Sequence, residues 1–386
     1  MRSRLLALIL PLAFSLPGAA QPRAEAAGEP DGRGTVAHAD REQHGRSSGK
    51  IASEAVKGAT RLPDHTRAGA FRASAAAKRE RGDTNGAIAD YSEAIRLDPS
   101  SAETFFLRGF ARREQGDWKG AIVDYDEAIR LDPRHANAYA TRANARRILG
   151  DLPRARADAD RAVSIDPQSL LGFNNRGLIR YHQDDLVAAA DDHGRAIRID
   201  PTFTLAWYHR GRTRFYLGDI EGAIADYSEG IRLAPDDADF YVARANARRA
   251  ASDLAGSLDD FASARRLGAK GVLGNICVTR FRLGQRAAAA QDCALARHTA
   301  GAGDAQPLAA QAGVLLLDGD LGGAEAALEE ALRRDPRSAY ALRLRGVLSS
   351  MRGDTARADK DNKSARVIDP WAEKALRDIF GHALFR

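Results

Sequence analysis

The chain has 386 residues, a formal net charge of +6, two cysteines and an aromatic content of 6%. Two cysteines cannot complete a thiolate zinc site, and basic and acidic side chains are interleaved instead of forming a basic stripe. The composition therefore disfavours a zinc-thiolate protein and a nucleic-acid-binding protein.

The first twenty residues have the layout of a secretory signal peptide. Arg2 and Arg4 precede an apolar run over residues 5–16, and the segment ends in small residues up to Ala20. A membrane anchor is the alternative, but a run this short, interrupted by Pro11, cannot span a hydrocarbon layer of ~30 Å. We expect a signal peptide over residues 1–20, a periplasmic or secreted protein, and no stable membrane insertion after cleavage.

The segment after the cleavage site is rich in glycine, alanine and mixed charge. Residues 21–67 contain almost no large apolar side chain, so they cannot bury enough surface to offset the entropy lost on ordering. We therefore predict a disordered, low-complexity tail over residues 21–67.

A stretch of thirteen residues, AIADYSEAIRLDP at 87–99, recurs along the chain. Close copies occupy residues 121–133 and 223–235, and a weaker copy occupies residues 155–167. The closing prolines stand 34 residues apart, at Pro99, Pro133, Pro167, Pro201 and Pro235. Self-similarity at this period predicts stacked helical repeats, which usually bind other molecules instead of transforming them.

Turn residues divide each repeat into two helices. A Gly-Asp pair closes the first helix of six repeats, because glycine adopts the left-handed conformation and the aspartate caps the next helix. These pairs begin at Gly82, Gly116, Gly150, Gly218, Gly319 and Gly353. The second helix ends at an Asp-Pro pair, since proline disfavours helical geometry in the residue before it.

At this point the chain resembles the tetratricopeptide repeat family. Large residues recur at the fourth position of the repeat, namely Phe71, Phe105, Tyr139, Phe173, Trp207 and Tyr241. Small residues recur at the eighth position, namely Ala75, Gly109, Ala143, Gly177, Gly211 and Ala245. The resemblance implies an all-α, right-handed α-solenoid of about nine helix-turn-helix hairpins over residues 68–370, with a divergent stretch at 270–304.

Residues 371–386 follow the last repeat and resemble the extra helix that ends many such arrays. Trp371, Leu376, Ile379 and Phe380 are expected to cover the exposed face of repeat nine, with charged side chains outward. We therefore predict a C-terminal capping helix.

In this family the concave groove is built mainly from five positions of each first helix, and the groove binds a protein or peptide. Those positions supply Phe106, Phe110, Arg113, Asn144, Arg147, Asn174, Tyr181, His182, Tyr208, Arg212, Phe215, Tyr216, Asn246 and Arg249. Aromatic rings give contact area, asparagine bonds a peptide backbone, and arginine grips carboxylates, so a partner of acidic character is expected. The alternative is that the aromatic rings pack between repeats and the arginines pair with nearby acids.

Some family members clamp the terminal carboxylate of a peptide with lysine, arginine and asparagine side chains. The corresponding places here hold Ala140, Asn144, Asn175, Leu205 and His209. Only the asparagines remain, so this clamp is not expected.

The two cysteines fall in the seventh repeat. In the family register Cys277 lies at position 8 of the first helix and Cys293 at position 24 of the second, so both face the interface between the two helices. A disulfide bond is expected, with two buried free thiols as the alternative.

The sequence contains no phosphate-binding loop, nucleophile elbow or metal-ligand spacing, so no catalytic residue, metal or cofactor is predicted. The predicted function is a non-catalytic scaffold for protein–protein interaction. One alternative is an accessory or regulatory subunit of a cell-envelope enzyme or of a polysaccharide export or assembly complex. A second alternative is an enzyme with a composite site.

Overall fold

The computed structural model describes residues 63–301, 303–369 and 372–380, and every regular element in these ranges is an α-helix. The predicted signal peptide and nearly all of the predicted tail lie outside these residues. The helices are α1 (Asp64–Glu80), α2 (Thr84–Leu97), α3 (Ala102–Glu114), α4 (Trp118–Leu131), α5 (Ala136–Ile148), α6 (Leu152–Ile165), α7 (Leu170–His182), α8 (Leu186–Ile199), α9 (Thr204–Leu217), α10 (Ile220–Leu233), α11 (Ala238–Ala250), α12 (Leu254–Arg266), α13 (Val272–Arg282), α14 (Arg286–Thr299), α15 (Gln306–Asp318), α16 (Leu321–Arg334), α17 (Ala339–Met351), α18 (Thr355–Ile368) and α19 (Ala372–Phe380).

Helices α1 to α18 pair in sequence order as nine helical hairpins, and α19 follows them. In each hairpin an odd-numbered first helix packs against an even-numbered second helix. This arrangement confirms the expected fold class, an all-α solenoid of stacked hairpins.

The turn inside each hairpin follows the predicted chemistry. The six glycines of the Gly-Asp pairs have φ between 81° and 85°, which glycine adopts without a steric penalty. Each following aspartate then caps the second helix; Asp83, for example, accepts from the Gly86 N–H at 2.9 Å. In the fourth and sixth hairpins Asp184 and Ser252 stand in the glycine place and adopt φ of 63° and 66°.

The first helix begins earlier than expected, because residues 64–67, assigned to the disordered tail, belong to α1. Pro63 precedes the first helical residue, where its missing N–H costs nothing. Asp64 lies in the first turn, where a negative charge is favourable, and it pairs with Arg67 at 3.0 Å.

The period breaks after α12, where the sequence lacks its closing proline. Gly268 and Gly271 both have positive φ, at 89° and 76°, and turn the chain into α13. The seventh hairpin, α13 with α14, then forms despite its divergent sequence.

The two helices of a hairpin meet at a pair of residues 16 apart in sequence. A small residue on the first helix faces a larger one on the second in Gly109/Tyr125, Gly211/Tyr227 and Ala245/Phe261. In the seventh hairpin the same two places hold Cys277 and Cys293, which form a disulfide bond with a Cα–Cα distance of 5.3 Å. The predicted bond is therefore present, and it replaces the packing pair of the other hairpins.

The described chain divides into two compact units, residues 63–206 and residues 207–380, each considered separately below. Within the first unit, α3 contacts α5 and α5 contacts α7. Within the second unit, α13 contacts α15 and α15 contacts α17. Among the described helices, no two second helices approach each other as closely, so the first helices form the inner layer of each unit.

Candidate binding surface

The N-terminal inner face consists of the inner side chains of α1, α3, α5 and α7. On α3, the Phe110 ring lies between two guanidinium groups, 4.8 Å from Arg79 and 4.2 Å from Arg113. The Phe106 ring is 6.3 Å from that of Phe110 and 4.8 Å from that of His135, to which it is tilted by 42°. These side chains are half-buried, so the cluster combines apolar area with charge near the surface. Two carboxylates adjoin it, Glu114 at 3.9 Å from Arg79 and Glu103 at 3.3 Å from His135.

Arg147 on α5 is almost fully buried, with 5% of its surface exposed. Its guanidinium donates to Asn144 Oδ1 at 3.1 and 2.9 Å, and Nη1 lies 3.1 Å from His182 Nε2 on α7. The structure therefore uses Asn144, Arg147 and His182 to join the first helices of consecutive hairpins.

Asn174, Asn175 and Tyr181 on α7 are also buried. The Asn175 amide donates to the Ala140 carbonyl at 2.9 Å, which holds α7 against α5. Tyr181 makes an edge contact with His182 at 5.6 Å. Asn174 Oδ1 is buried without a hydrogen-bond partner among the described residues.

In the second unit, Tyr208 packs between hairpins. Its ring lies 6.0 Å from Tyr227 and 5.6 Å from Phe240, on the following hairpin. Phe215 and Tyr216 meet edge to face at 5.7 Å, and Arg212 is half-buried. For Tyr208 the structure agrees with the alternative in which an aromatic ring packs between repeats.

Arg249 on α11 repeats the arrangement of Arg147. It is 2% exposed, donates to Asn246 at 2.7 Å and to Asn275 of α13 at 2.9 Å, and lies over the Phe261 ring. An asparagine three residues before a buried arginine, with a polar partner on a later first helix, thus occurs in both units.

The predicted C-terminal helix is present as α19, but its contacts are not confined to the last hairpin. It packs against α11, α13 and α17, which are all first helices of the second unit. Three of the residues named for it, Leu376, Ile379 and Phe380, are buried at 0%, 2% and 3% exposure. Trp371 lies outside the described residues. Helix α19 thus lies on the inner layer, which we call the C-terminal inner face (α11, α13, α15 and α17).

The hairpins also contain buried Arg–Asp pairs that the repeat pattern described above does not predict. Asp124 is 1% exposed and accepts from Arg108 at 2.7 Å and from Arg112 at 2.8 Å. The same triad recurs around Asp158, Asp192, Asp226 and Asp260. The sequence does contain a signal for these pairs: an Arg-x-x-x-Arg motif and an aspartate both recur every 34 residues.

Hydrogen bonds keep the guanidinium group of Arg142 charged despite its burial. Burial opposes the charged form of Arg142, but the hydrogen bonds that it donates to Asp158 and Asp126, with the negative charges of these two residues, raise the pKa of Arg142 above its ordinary value. In the part of the chain that the structure describes, no group of three or more His, Cys, Asp or Glu side chains could hold a metal ion. Nor is any helix within those residues both long and apolar enough to cross a bilayer.

Two family models match the sequence. One, described as TPR repeat, matches residues 76–112, 109–146 and 211–248, and the other, described as tetratricopeptide repeat, matches residues 143–202 and 309–365. Together these matches span more than half of the chain. The sequence has no significant match among curated proteins.

Several solved structures match about half of the chain. YrrB, described as a TPR protein with an unusual peptide-binding site, is 20% identical over 50% of this chain and 96% of its own, with a TM-score of 0.39. PilW, described as a type IV pilus biogenesis factor, is 17% identical over 52% of this chain and 92% of its own, with a TM-score of 0.48. PilF of Pseudomonas aeruginosa is 16% identical over 57% and 95% of the two chains, with a TM-score of 0.47. With its repeated turns, its nine hairpins and the two matching family models, the chain belongs to the tetratricopeptide repeat family.

Proposed function

We propose that the protein is a non-catalytic scaffold that binds a protein or peptide segment of acidic character on its N-terminal inner face. The tetratricopeptide fold is a scaffold for protein–protein interaction. The proposal adds where the partner binds and which chemistry attracts it.

The single observation that supports this site best is the position of Phe110 between Arg79 and Arg113. Cations over a ring face hold the ring. Arg79 Nε also lies 3.9 Å from a carboxylate oxygen of Glu114, so we assign the contact with a partner to the guanidinium of Arg113. A carboxylate binds such groups in two-pronged geometry, while apolar side chains of the partner gain area against Phe106 and Phe110. Arg147 is bonded to Asn144 and His182, so it is assigned a structural role and not direct contact with a carboxylate.

We further propose that the protein acts in an oxidising compartment, in the periplasm or outside the cell. Disulfide bonds persist in such compartments and are rare in the cytosol. The Cys277–Cys293 bond and the signal-peptide layout of residues 1–20 support this location. Mass spectrometry of the protein from its native host, without reductant, should find the cleaved chain with the bond intact; free thiols would contradict the location.

The binding proposal is tested with peptides selected from a random phage library on the full chain. We expect enrichment of sequences that combine Asp or Glu with aromatic or aliphatic residues. Fluorescence anisotropy of an enriched peptide should show at least a tenfold loss of affinity in Phe110→Ala combined with Arg113→Ala.

A matched control is Arg130→Ala on α4, where an exposed guanidinium pairs only with Glu127 of the same helix among the described residues. This variant should bind as the wild type does. Equal affinities for the wild type and the Phe110/Arg113 variant would place the binding surface elsewhere.

A further inference from the structure

Helix α19 makes two kinds of contact with the C-terminal inner face. Its apolar side chains Leu376, Ile379 and Phe380 join the largest hydrophobic cluster of the second unit. At its C-terminal end, Arg282 Nη1 of α13 donates to the Ile379 carbonyl at 3.1 Å. A cation at this end also complements the helix dipole.

The first turn of α19 is fixed by charge. Glu373 pairs with Arg343 of α17 at 2.9 Å and with Arg377 of its own helix at 2.8 Å. Hydrogen bonds from Arg377 and the charge of Arg343 lower the pKa of Glu373, so the carboxylate stays ionised. The helix is thus held by a carboxylate and by apolar residues three, six and seven positions later.

The face beneath α19 is shaped to receive it. Gly313 stands on α15 at the place that Phe110 holds on α3, one residue after the small member of the hairpin pair. A Cβ built on Gly313 would lie 2.1 Å from the Phe380 ring, so the ring fills the space left by the missing side chain. Helix α15 has no charged residue from Gln306 to Leu317, as expected for a helix covered on both sides.

Helix α19 is not needed to cover the end of the array. The last second helix, α18, buries only Ala358, Asp361 and Ala365, and its outer surface includes exposed Lys360, Lys363 and Arg366. Val367 is also exposed, but charged and polar side chains make up most of this outer surface, which is compatible with water. A nine-residue helix is also marginal by itself, so α19 depends on the inner face for its structure.

We propose that the C-terminal inner face is a receptor for an amphipathic helix of a partner protein, and that α19 occupies it as an internal competitor. The partner helix has a carboxylate followed at the third, sixth and seventh positions by large apolar side chains, as in Glu373, Leu376, Ile379 and Phe380. The proposal concerns residues 207–380 and is independent of the N-terminal inner face. Binding of the partner displaces α19.

The test uses the full chain with Leu376→Glu and Phe380→Glu, which detaches α19 and leaves the receptor face unchanged. The probe is a fluorescein-labelled synthetic peptide with the sequence of residues 370–386. We expect the variant to bind it saturably, and the wild type to bind it about 100-fold more weakly, because the tethered helix competes at an effective concentration of the order of millimolar. A peptide with Phe380→Ala should bind the variant at least tenfold more weakly.

Three results overturn the proposal. The first is a folded variant, judged by circular dichroism and monomeric elution, that does not bind the peptide. The second is equal affinity for wild type and variant, since α19 then does not compete. The third is a wild-type dimer in light scattering that exchanges labelled α19 between chains, which would make a second copy the occupant.

If the double variant fails to fold, hydrogen exchange of the full chain with Gly313→Ala decides the question. The added methyl group meets the Phe380 ring, whereas Gly322→Ala on α16 adds a methyl group whose nearest atom, on Asp320, is 3.8 Å away. We expect at least tenfold faster exchange in α19 alone for Gly313→Ala, and wild-type exchange for Gly322→Ala. Equal acceleration throughout α11 to α18 would show that α19 is an integral part of the core and would overturn the proposal.

Discussion

Arg142 joins two consecutive hairpins through one guanidinium group. Nε and Nη2 donate to Asp158 of its own hairpin at 2.9 and 2.6 Å, and Nη1 donates to Asp126 of the preceding hairpin at 2.6 Å. Arg176 does the same with Asp192 and Asp160. The charged residues of the repeat therefore connect neighbouring hairpins as well as the two helices of one hairpin.

We expect Asp158→Ala to lower the free energy of unfolding by about 3 kcal/mol, because it leaves Arg142 and Arg146 without their buried partner. Asp126→Ala removes the other, half-exposed partner of Arg142 and should cost less than about 1 kcal/mol. Urea denaturation followed by circular dichroism measures both. Equal losses would mean that the buried pair contributes no more than the exposed one.

Ser252→Gly should stabilise the protein by about 1 kcal/mol, because a serine at φ of 66° has a steric penalty that glycine avoids. The reciprocal change, Gly116→Ser, places serine at φ of 82° and should destabilise by a similar amount. Thermal melting of the two variants checks the sign. A stabilising effect of both changes would exclude backbone strain as the cause.

The disulfide should contribute about 3 kcal/mol, because it closes a loop of 16 residues in the unfolded chain. The double change Cys277→Ala with Cys293→Ala recreates the packing pair that Ala143 and Ala159 form in the third hairpin. The free energy lost to a cavity at this interface should therefore be small. We expect a lower melting temperature for this variant, and a melting temperature that no longer responds to reductant. A wild type whose melting is unaffected by complete reduction would contradict the prediction.

Asp239 should make stability depend on pH near neutrality. Burial, with repulsion from Asp237, raises the pKa of Asp239 from 3.8 to about 7 in the folded protein. Between these two pKa values the folded state binds more protons than the unfolded state. The stability that protonated Asp239 provides is therefore fully present below pH ~4 and is lost as pH rises through ~7. Asp239→Asn should therefore melt at a higher temperature than the wild type at pH 8 and near the wild-type value at pH 4. A constant difference between the two proteins over this range would exclude the titration of Asp239.

The hairpins were predictable because their signals recur. Proline spacing, Gly-Asp turns and small residues at the hairpin interface are local features, and the same spacing located the disulfide. The role of Arg147 was not predictable, because position on the inner layer does not say whether a side chain meets a partner or a neighbouring helix. The contact of Arg147 with His182, 35 residues away in sequence, is not visible in the repeat register.

The position of α19 was also beyond the reach of the repeat pattern. Three of the apolar residues predicted for it, Leu376, Ile379 and Phe380, are buried. Their contacts were not predictable, because a segment that follows the last repeat has no preceding copy from which its contacts can be predicted. Gly313, which receives Phe380, resembles an ordinary small residue in the sequence. Only the tertiary contact distinguishes a helix that ends the stack from one that lies on its inner layer.

The charged outer surface of α18 has a consequence for assembly. Stacked repeats can in principle grow without limit, because each hairpin offers a surface for the next one, including a hairpin of another molecule. Inside the array, Ser92, Asp126, Asp160 and Ser228 accept a hydrogen bond from an arginine of the following hairpin. Lys363 stands at the corresponding place of the last hairpin, so an incoming arginine would meet a cation. We therefore expect Lys363 to disfavour end-to-end stacking of two molecules through α18.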